Sequence, residues 1–320
     1  MSDNKVRILV TGSSGLVGSA IRKEYNENPS IQKKYEIIFV SSKDYNLLNI
    51  EETKRMFEDN SNIEIVIHLA ACVGGLFKNL NNKVKMFEDN ILMNYNVVKC
   101  CHDYNVKKFL GCLSTCVFPN KTLYPITEEF LHDNKPHESN YGYSHAKRML
   151  DIHCKSYREQ FGNDYFCIIP TNIYGEHDNF NLEDAHIIPA LIHKCYIAKR
   201  DNTDFIVKGS GSPLRQFIFS HDLARMIFEI LNKNIKENII LSIPEKDEIT
   251  IKDVALIIAK CYDYNDHIVF DTNYSDGQHK KTTSNKKFES LVENFKYTDI
   301  ENGIKDTVDW FIKNYDNARL

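Results

Sequence analysis

The sequence has no Cys-x-x-Cys pair, although it carries nine cysteines, at positions 72, 100, 101, 112, 116, 154, 167, 195 and 261. That scatter offers neither a zinc-ligand spacing nor a disulfide framework, so no metal is expected. Cys112 and Cys167 stand among apolar neighbours and read as core filler. Thiols used this way suit a reducing compartment, so a cytoplasmic location is expected. No apolar run approaches the length of a membrane span. A strand pattern begins at Lys5, which leaves no room for a leader peptide. Charge of neither sign dominates: 40 Lys and Arg against 44 Asp and Glu give a net charge of −4. Nothing in that balance points to nucleic acid or a membrane surface as partner. Repeats, low-complexity tracts and flexible linkers are also missing. The 320 residues therefore read as one α/β domain or as two lobes packed closely together.

What is present is a series of short apolar runs, each followed by small or polar residues. Val6–Val10 is continuous and β-branched, as a buried parallel strand requires. Thr11-Gly12-Ser13-Ser14-Gly15-Leu16-Val17-Gly18 follows at once, and helical periodicity then runs through Val17, Ala20, Ile21 and Tyr25. Strand, glycine loop and helix in that order form a dinucleotide fingerprint, here spaced Gly-x-x-Gly-x-x-Gly. Its glycines let the backbone approach a pyrophosphate, and the helix start offers free N–H groups. Gly12, Ser14, Gly15, Leu16, Val17 and Gly18 are the expected cradle. A second strand, Glu36–Val40, ends in Ser41, Ser42 and Lys43 rather than in an acid. Neutral hydroxyls and a cation suit a 2′-phosphate, so NADP(H) is expected over NAD. The third strand, Ile63–Leu69, ends in Leu69, Ala70 and Ala71, small enough for a cofactor to pass. His68 there reads as a packed structural histidine. A loop through Gly74-Gly75 to Asn82 leads to a long helix, 84–103, with Phe87, Ile91, Tyr95 and Val98 on one face.

Strand Lys108–Leu113 delivers Ser114, Thr115 and Cys116 at its carboxyl end. Beyond a proline-marked loop, Tyr143 and Lys147 lie four residues apart and share a helix face. A nearby ammonium is expected to lower the phenol pKa, which makes Tyr143 a proton donor and Ser114 its companion at a carbonyl. Strand Phe166–Ile169 ends in Pro170-Thr171-Asn172-Ile173-Tyr174-Gly175. After residue 176 the pattern loosens. Helices are expected at Ala185–Ala198, His221–Asn232, from Thr250, and around Trp310 and Phe311. Strands are expected at Asp204–Val207, Gln216–Phe219, Asn238–Ser242 and His267–Asp271, with a basic loop at Ser275–Lys287. The fold class is α/β, a doubly wound (Rossmann) parallel sheet with a smaller α/β substrate-binding lobe. Residues 1–175 form the cofactor domain, to which 216–242 return, and 176–320 are mainly the substrate lobe. The apolar faces of helices 84–103 and 143–161 suit pairing with a second copy, so a homodimer is expected.

Thr11–Gly18, Ser114 and Tyr143-x-x-x-Lys147 together resemble the extended short-chain dehydrogenase/reductases. Further stretches narrow the resemblance to the GDP-L-fucose synthases: Leu113–Pro119, Pro170–Gly175 with His177-Asp178-Asn179-Phe180, and His186-Ile187-Ile188-Pro189. Gly209-Ser210-Gly211 with Arg215-Gln216-Phe217, and Ser275-Asp276-Gly277 with Lys280-Lys281, extend it in the same order over the whole chain. The resemblance implies conversion of GDP-4-keto-6-deoxy-D-mannose to GDP-L-fucose with NADPH. Carbons 3 and 5 would be inverted by a cysteine and a histidine, matching Cys116 and His186. Carbon 4 would then be reduced with Ser114, Tyr143 and Lys147. Thiol and imidazole titrate near ~8.5 and ~6.5, so both exchange protons around neutrality. Pro170, Asn172, Ile173 and His186 would also touch the cofactor. Asn172, Lys194, Arg215, Asp276 and Lys281 would hold the GDP-sugar, along with Lys208, which stands where the family commonly has tryptophan. Asn46 and Asn49 replace acids common near the adenine. A sugar-nucleotide 4,6-dehydratase would follow Thr115 with an Asp-Glu pair, and a UDP-sugar 4-epimerase would need no Cys116/His186 pair. A silent NADP-binding protein would have lost the tyrosine or lysine.

Overall fold

In the computed structural model, which describes residues 5–274, 276 and 278–320, the apolar runs become a six-stranded, all-parallel sheet. Its members are β1 (Val6–Thr11), β2 (Tyr35–Val40), β3 (Ile65–His68), β4 (Lys108–Cys112), β5 (Asp164–Pro170) and β10 (Ile239–Leu241). Their order across the sheet is β10-β5-β4-β3-β1-β2, so the strand order reverses between β1 and β3. Such a switch point opens a crevice at the strands' carboxyl ends.

Alternation along each strand feeds two cores. Ile8 and Val10 face α1 (Leu16–Glu27), α8 (Ser220–Leu231) and α10 (Lys286–Leu291), where Ile21, Met226, Ile227 and Phe288 are buried. Leu9 and Val66 face α3 (Ile50–Asp59), α5 (Lys83–Asp103) and α6 (Tyr141–Phe161), against Phe57, Val98, Leu150 and Cys154. Cys112, Cys154 and Cys167 are among nine cysteines that all carry free thiols. A third core belongs to the smaller lobe. There α7 (Ile187–Asp201), α9 (Ile251–Cys261) and α11 (Ile300–Lys313) enclose Leu191, Val254, Ile304 and Phe311. Three two-stranded ladders complete it: β6 (Asn172–Tyr174) with β9 (Phe217–Phe219), β7 (Phe205–Lys208) with β12 (Ile268–Asp271), and β8 (Leu214–Arg215) with β11 (Ile249–Thr250).

Three short helices stand where sequence periodicity gave loops or nothing. In α2 (Pro29–Lys34), proline opens the helix and Asn28 caps it by accepting from Ser30 N–H. α4 (Leu76–Asn81) lies in the expected 74–82 loop, and α10 starts inside the expected basic loop. Six residues are under two helical turns, too few to display a 3.6-residue pattern. Ser275 and Gly277 of the expected Ser-Asp-Gly motif lie outside the described residues. Among the described residues no helix is long and apolar enough to cross a membrane, and no three His, Cys, Asp or Glu side chains group to hold a metal.

Candidate active site

Close approach explains the glycine loop. Gly12 has φ +69°, and a Cβ there would stand 2.6 Å from Ala70 N, so the turns after β1 and β3 touch only because it has none. A Cβ on Gly18 would meet Ser13 Cα at 2.5 Å, which fixes how tightly α1 folds back on the loop. Gly15 precedes the first turn of α1 without a side-chain cap, so the N–H groups of Leu16 and Val17 are left for an anion. A dinucleotide pyrophosphate fits this cradle, with Ser14 exposed at its rim.

Behind the cradle, Thr11 Oγ1 and His68 Nδ1 are 2.8 Å apart, and His68 Nε2 lies 3.1 Å from Asn94 Oδ1. Burial, aided by the Lys147 charge, drives the His68 pKa down to about 3, so it is a neutral structural bridge. Ala70 N–H donates to Thr11 Oγ1 at 3.4 Å, tying the Leu69–Ala71 turn to β1. Asn94 went unnoticed in the sequence, as did Asn90 one turn earlier. Two buried asparagines four apart on an otherwise apolar helix face were the available signal.

The end of β2 differs from expectation. Ser41 gives both its backbone N–H and its hydroxyl to Asp44 Oδ2, at 2.7 and 2.8 Å. Those bonds, the backbone one first, lower the Asp44 pKa. Ser41 is therefore committed to its own turn, leaving Ser42 and Lys43 exposed beside it. A second cation, absent from the sequence reading, joins them. Arg22 of α1 stacks on Phe39 at 4.1 Å and its Nη2 reaches Ser13 Oγ at 3.5 Å, between the glycine loop and the end of β2. Asn46 and Asn49 serve locally: Asn49 caps α3 through Glu51 and Glu52 N–H, and Asn46 accepts from Leu48 N–H.

Tyr143 and Lys147 lie one turn apart near the start of α6. Lys147 is almost wholly buried, donates to the Cys112 carbonyl at 2.7 Å, and stands 5.7 Å from the Tyr143 ring centre. The expected lowering of the phenol pKa is not what this geometry gives. Burial pushes Tyr143 well above its ordinary value, and the thiols of Cys116, Cys112 and Cys72 push the same way. Burial also lowers the Lys147 pKa, so both groups lean toward their neutral forms. Ser114 stands two residues beyond β4 and accepts from Cys116 N–H at 3.4 Å, which starts a 3-10 turn over Thr115–Val117. Two further α6 residues clamp that turn. Ser144 donates to the Cys116 carbonyl at 3.0 Å and Arg148 to the Val117 carbonyl at 2.8 Å. Cys116 is thus set against Tyr143 by the helix that carries Tyr143.

The lobe brings up the other predicted residues. Burial lowers the pKa of Arg215, and that of Lys281, where the Arg215 charge adds to it. Lys281 also feels the Cys116 thiol, so Cys116, Arg215 and Lys281 share one neighbourhood. Buried Gln216 holds that neighbourhood together, accepting from Thr283 N–H at 2.8 Å and donating to the Ile243 and Thr283 carbonyls. Asn172 donates to the Gln216 carbonyl at 3.0 Å, just beyond Pro170 and beside Ile173. Lys194 on α7 has its pKa lowered by burial and by Lys208, which itself lies 4.5 Å over the Tyr274 ring. His186 precedes α7 and is exposed, yet the cleft walls around it lower its pKa, with Asp184 opposing. Asp276 is placed differently from a substrate ligand: its carboxylate accepts from Ser210 N–H at 2.9 Å and Ser210 Oγ at 2.6 Å, holding the 209–212 loop.

An open parallel sheet with a dinucleotide cradle at its switch point and a Tyr-x-x-x-Lys helix two strands away has the build of a short-chain dehydrogenase/reductase. The model of the NAD dependent epimerase/dehydratase family matches residues 8–243. GDP-L-fucose synthase from Dictyostelium discoideum is 48% identical over 99% of this chain and 98% of its own length. A probable GDP-L-fucose synthase from Drosophila melanogaster is 44% identical, covering 98% and 99%. The solved structure of a GDP-L-fucose synthetase from Naegleria fowleri bound to NADP superposes with TM-score 0.94 at 47% identity, covering 100% of this chain and 96% of that one. The chain belongs to the epimerase/dehydratase family and, within it, to the GDP-L-fucose synthases.

Proposed function

We propose that this chain converts GDP-4-keto-6-deoxy-D-mannose to GDP-L-fucose with NADP(H), inverting carbons 3 and 5 before reducing carbon 4. The observation that carries the division of roles is the place of Cys116. Its thiol lies within electrostatic reach of Tyr143 on the sheet side and of Lys281 on the lobe side. Full-length likeness to GDP-L-fucose synthases supports the substrate.

Carbons 3 and 5 flank the ketone, so loss of either proton yields an enolate with its charge on the carbonyl oxygen. Ser114 and Tyr143 are the hydroxyls placed to donate to that oxygen. Cys116 and His186 take a proton from one face and return one to the other, so each inversion is proton-neutral. NADPH, when bound, supplies the hydride that reaches carbon 4. Tyr143 gives its proton to the oxygen, and the Lys147 charge favours the phenolate left behind. Arg215, Lys281 and Lys194 supply the cations for a nucleoside diphosphate, with Asn172 and Lys208 beside them. Gly12 to Gly18 hold the pyrophosphate, while Ser42, Lys43 and Arg22 face the 2′-phosphate. Residues 1–175 with β10 serve the cofactor, and 176–320 mainly the sugar. Nine free thiols suit the cytoplasm as its location.

The paired helices α5 and α6 leave Phe87, Leu92, Tyr95, Met149, Ile152 and Phe161 exposed, a surface suited to a second copy. Light scattering should return the mass of two chains, and a monomer at micromolar concentration would refute the dimer.

The test of function is NADPH consumption by purified protein with the keto-sugar, followed by chromatography of the product. GDP-L-fucose should form, with NADH far slower than NADPH. An uninverted product would retire the roles of Cys116 and His186 while keeping the reductase. Tight NADPH binding without turnover would favour a silent cofactor-binding protein.

A further inference from the structure

Residues 72–83, which follow the Leu69–Ala71 turn and run into α5, belong to neither half of the site, yet they touch both. The segment begins at Cys72, whose N–H donates to Asn90 Oδ1 at 3.0 Å and whose carbonyl accepts from Asn90 Nδ2 at 2.9 Å. That end lies in the electrostatic neighbourhood of Tyr143. The far end is equally fixed: the Lys83 carbonyl passes so close over Gly142 that any side chain there would collide with it. Between the ends, α4 packs on the 3-10 turn Glu138–Asn140 and on the start of α6.

Two residues reach from this segment to the lobe. Gly75 N–H donates to the Asp184 carbonyl at 2.9 Å. A Cβ at Gly75 would stand 2.8 Å from that same oxygen, so only glycine lets the two backbones meet. One turn on, Lys78 Nζ meets Asp184 Oδ2 at 3.2 Å. Buried Asn79 holds the bend itself, donating to the Gly74 and Gly75 carbonyls at 2.7 and 3.0 Å. Asp184 and Ala185 form a turn on the Asn181 carbonyl, and His186 follows directly. The His186 ring makes no capping bond to its own helix. Its direction is therefore set by the turn before it, which is gripped by main chain and side chain together.

We propose that residues 72–83 are a strap that positions His186, with Lys78 and Asp184 as its clasp. The inference rests on the reading of His186 as a proton-transfer group. Displacing a reacting group by about 1 Å can slow a step about a hundredfold. A partly exposed ion pair adds little to the stability of a fold, so the clasp should be read in catalysis.

The experiment uses the full chain with keto-sugar and NADP+ in deuterium oxide, so that exchange at carbons 3 and 5 is read without reduction. Lys78→Met and Asp184→Asn should each slow exchange at one carbon about tenfold, with substrate KM and NADPH affinity held. Lys78→Arg should restore most of that rate. The Asp184 charge raises the His186 pKa against burial, so Asp184→Asn should also move the pH limb that His186 controls to lower pH. Wild-type exchange and pH profile in both variants, beside an inactive His186→Asn, would overturn the strap alone. Wild-type exchange in His186→Asn would instead overturn the reading beneath it. A joint loss of exchange, thermal stability and NADPH affinity, unrepaired by Lys78→Arg, would make the segment a plain brace and also overturn the proposal.

Discussion

Tyr143→Phe should slow ketone reduction about 10²- to 10⁴-fold while NADPH binds as before, since only the donated proton is lost. The substitution removes one oxygen, and among the described residues the Tyr143 hydroxyl makes no hydrogen bond on which the fold depends. Helix α6 keeps its register, and Ser144 and Arg148 still clamp the Cys116 turn. Deuterium exchange at carbons 3 and 5 should fall less, because Ser114 still donates to the enolate oxygen. The direction of the Tyr143 pKa adds a pH prediction. An acid whose pKa is raised stays protonated to higher pH, so Tyr143 should remove no activity from kcat/KM below about pH 10. A stopped-flow measurement of NADPH oxidation across pH reads both effects. Reduction at the wild-type rate in Tyr143→Phe would mean that another group supplies the proton.

That pKa shows where sequence reasoning stops. The four-residue spacing of Tyr143 and Lys147 gives proximity, and the structure has it. The burial around them depends on Cys72, Cys112 and Cys116 arriving from other elements, so the sign of the shift was not legible in the spacing. The sheet itself was legible because each buried parallel strand is a continuous apolar run, with glycine or a hydroxyl at its end. The β2 end was half legible. Ser42 and Lys43, read as 2′-phosphate ligands, stand exposed at that end, but Asp44 claims Ser41, and Arg22 arrives from a helix about twenty residues upstream. Gln216 was hidden more deeply, since its partner Thr283 lies 67 residues away and only the fold makes them neighbours. Asp276 was found by resemblance to a motif, yet its bonds go to the 209–212 loop.

Cys116→Ser should nearly abolish inversion while sparing reduction, and its product should be a 6-deoxy sugar reduced at carbon 4 without change at one or both neighbours. Serine nearly keeps the size and exchanges the thiol for a hydroxyl, and Ser144 Oγ still meets the backbone carbonyl at position 116, so the turn should stand. What is lost is the thiol, a stronger acid and better nucleophile than the hydroxyl that replaces it. Cys116 shares its surroundings with Lys281, which in turn feels the Arg215 charge. Exchange at the affected carbon should drop about 10²- to 10⁴-fold, the range of general acid–base catalysis. His186→Asn serves as the partner measurement. If Cys116→Ser stops exchange of the proton that leaves and His186→Asn stops delivery of the one that returns, the cysteine is base and the histidine acid. The reverse pattern exchanges the roles. A normal yield of GDP-L-fucose from Cys116→Ser would remove Cys116 from the chemistry and leave the Lys281 and Arg215 cluster as a binding site alone.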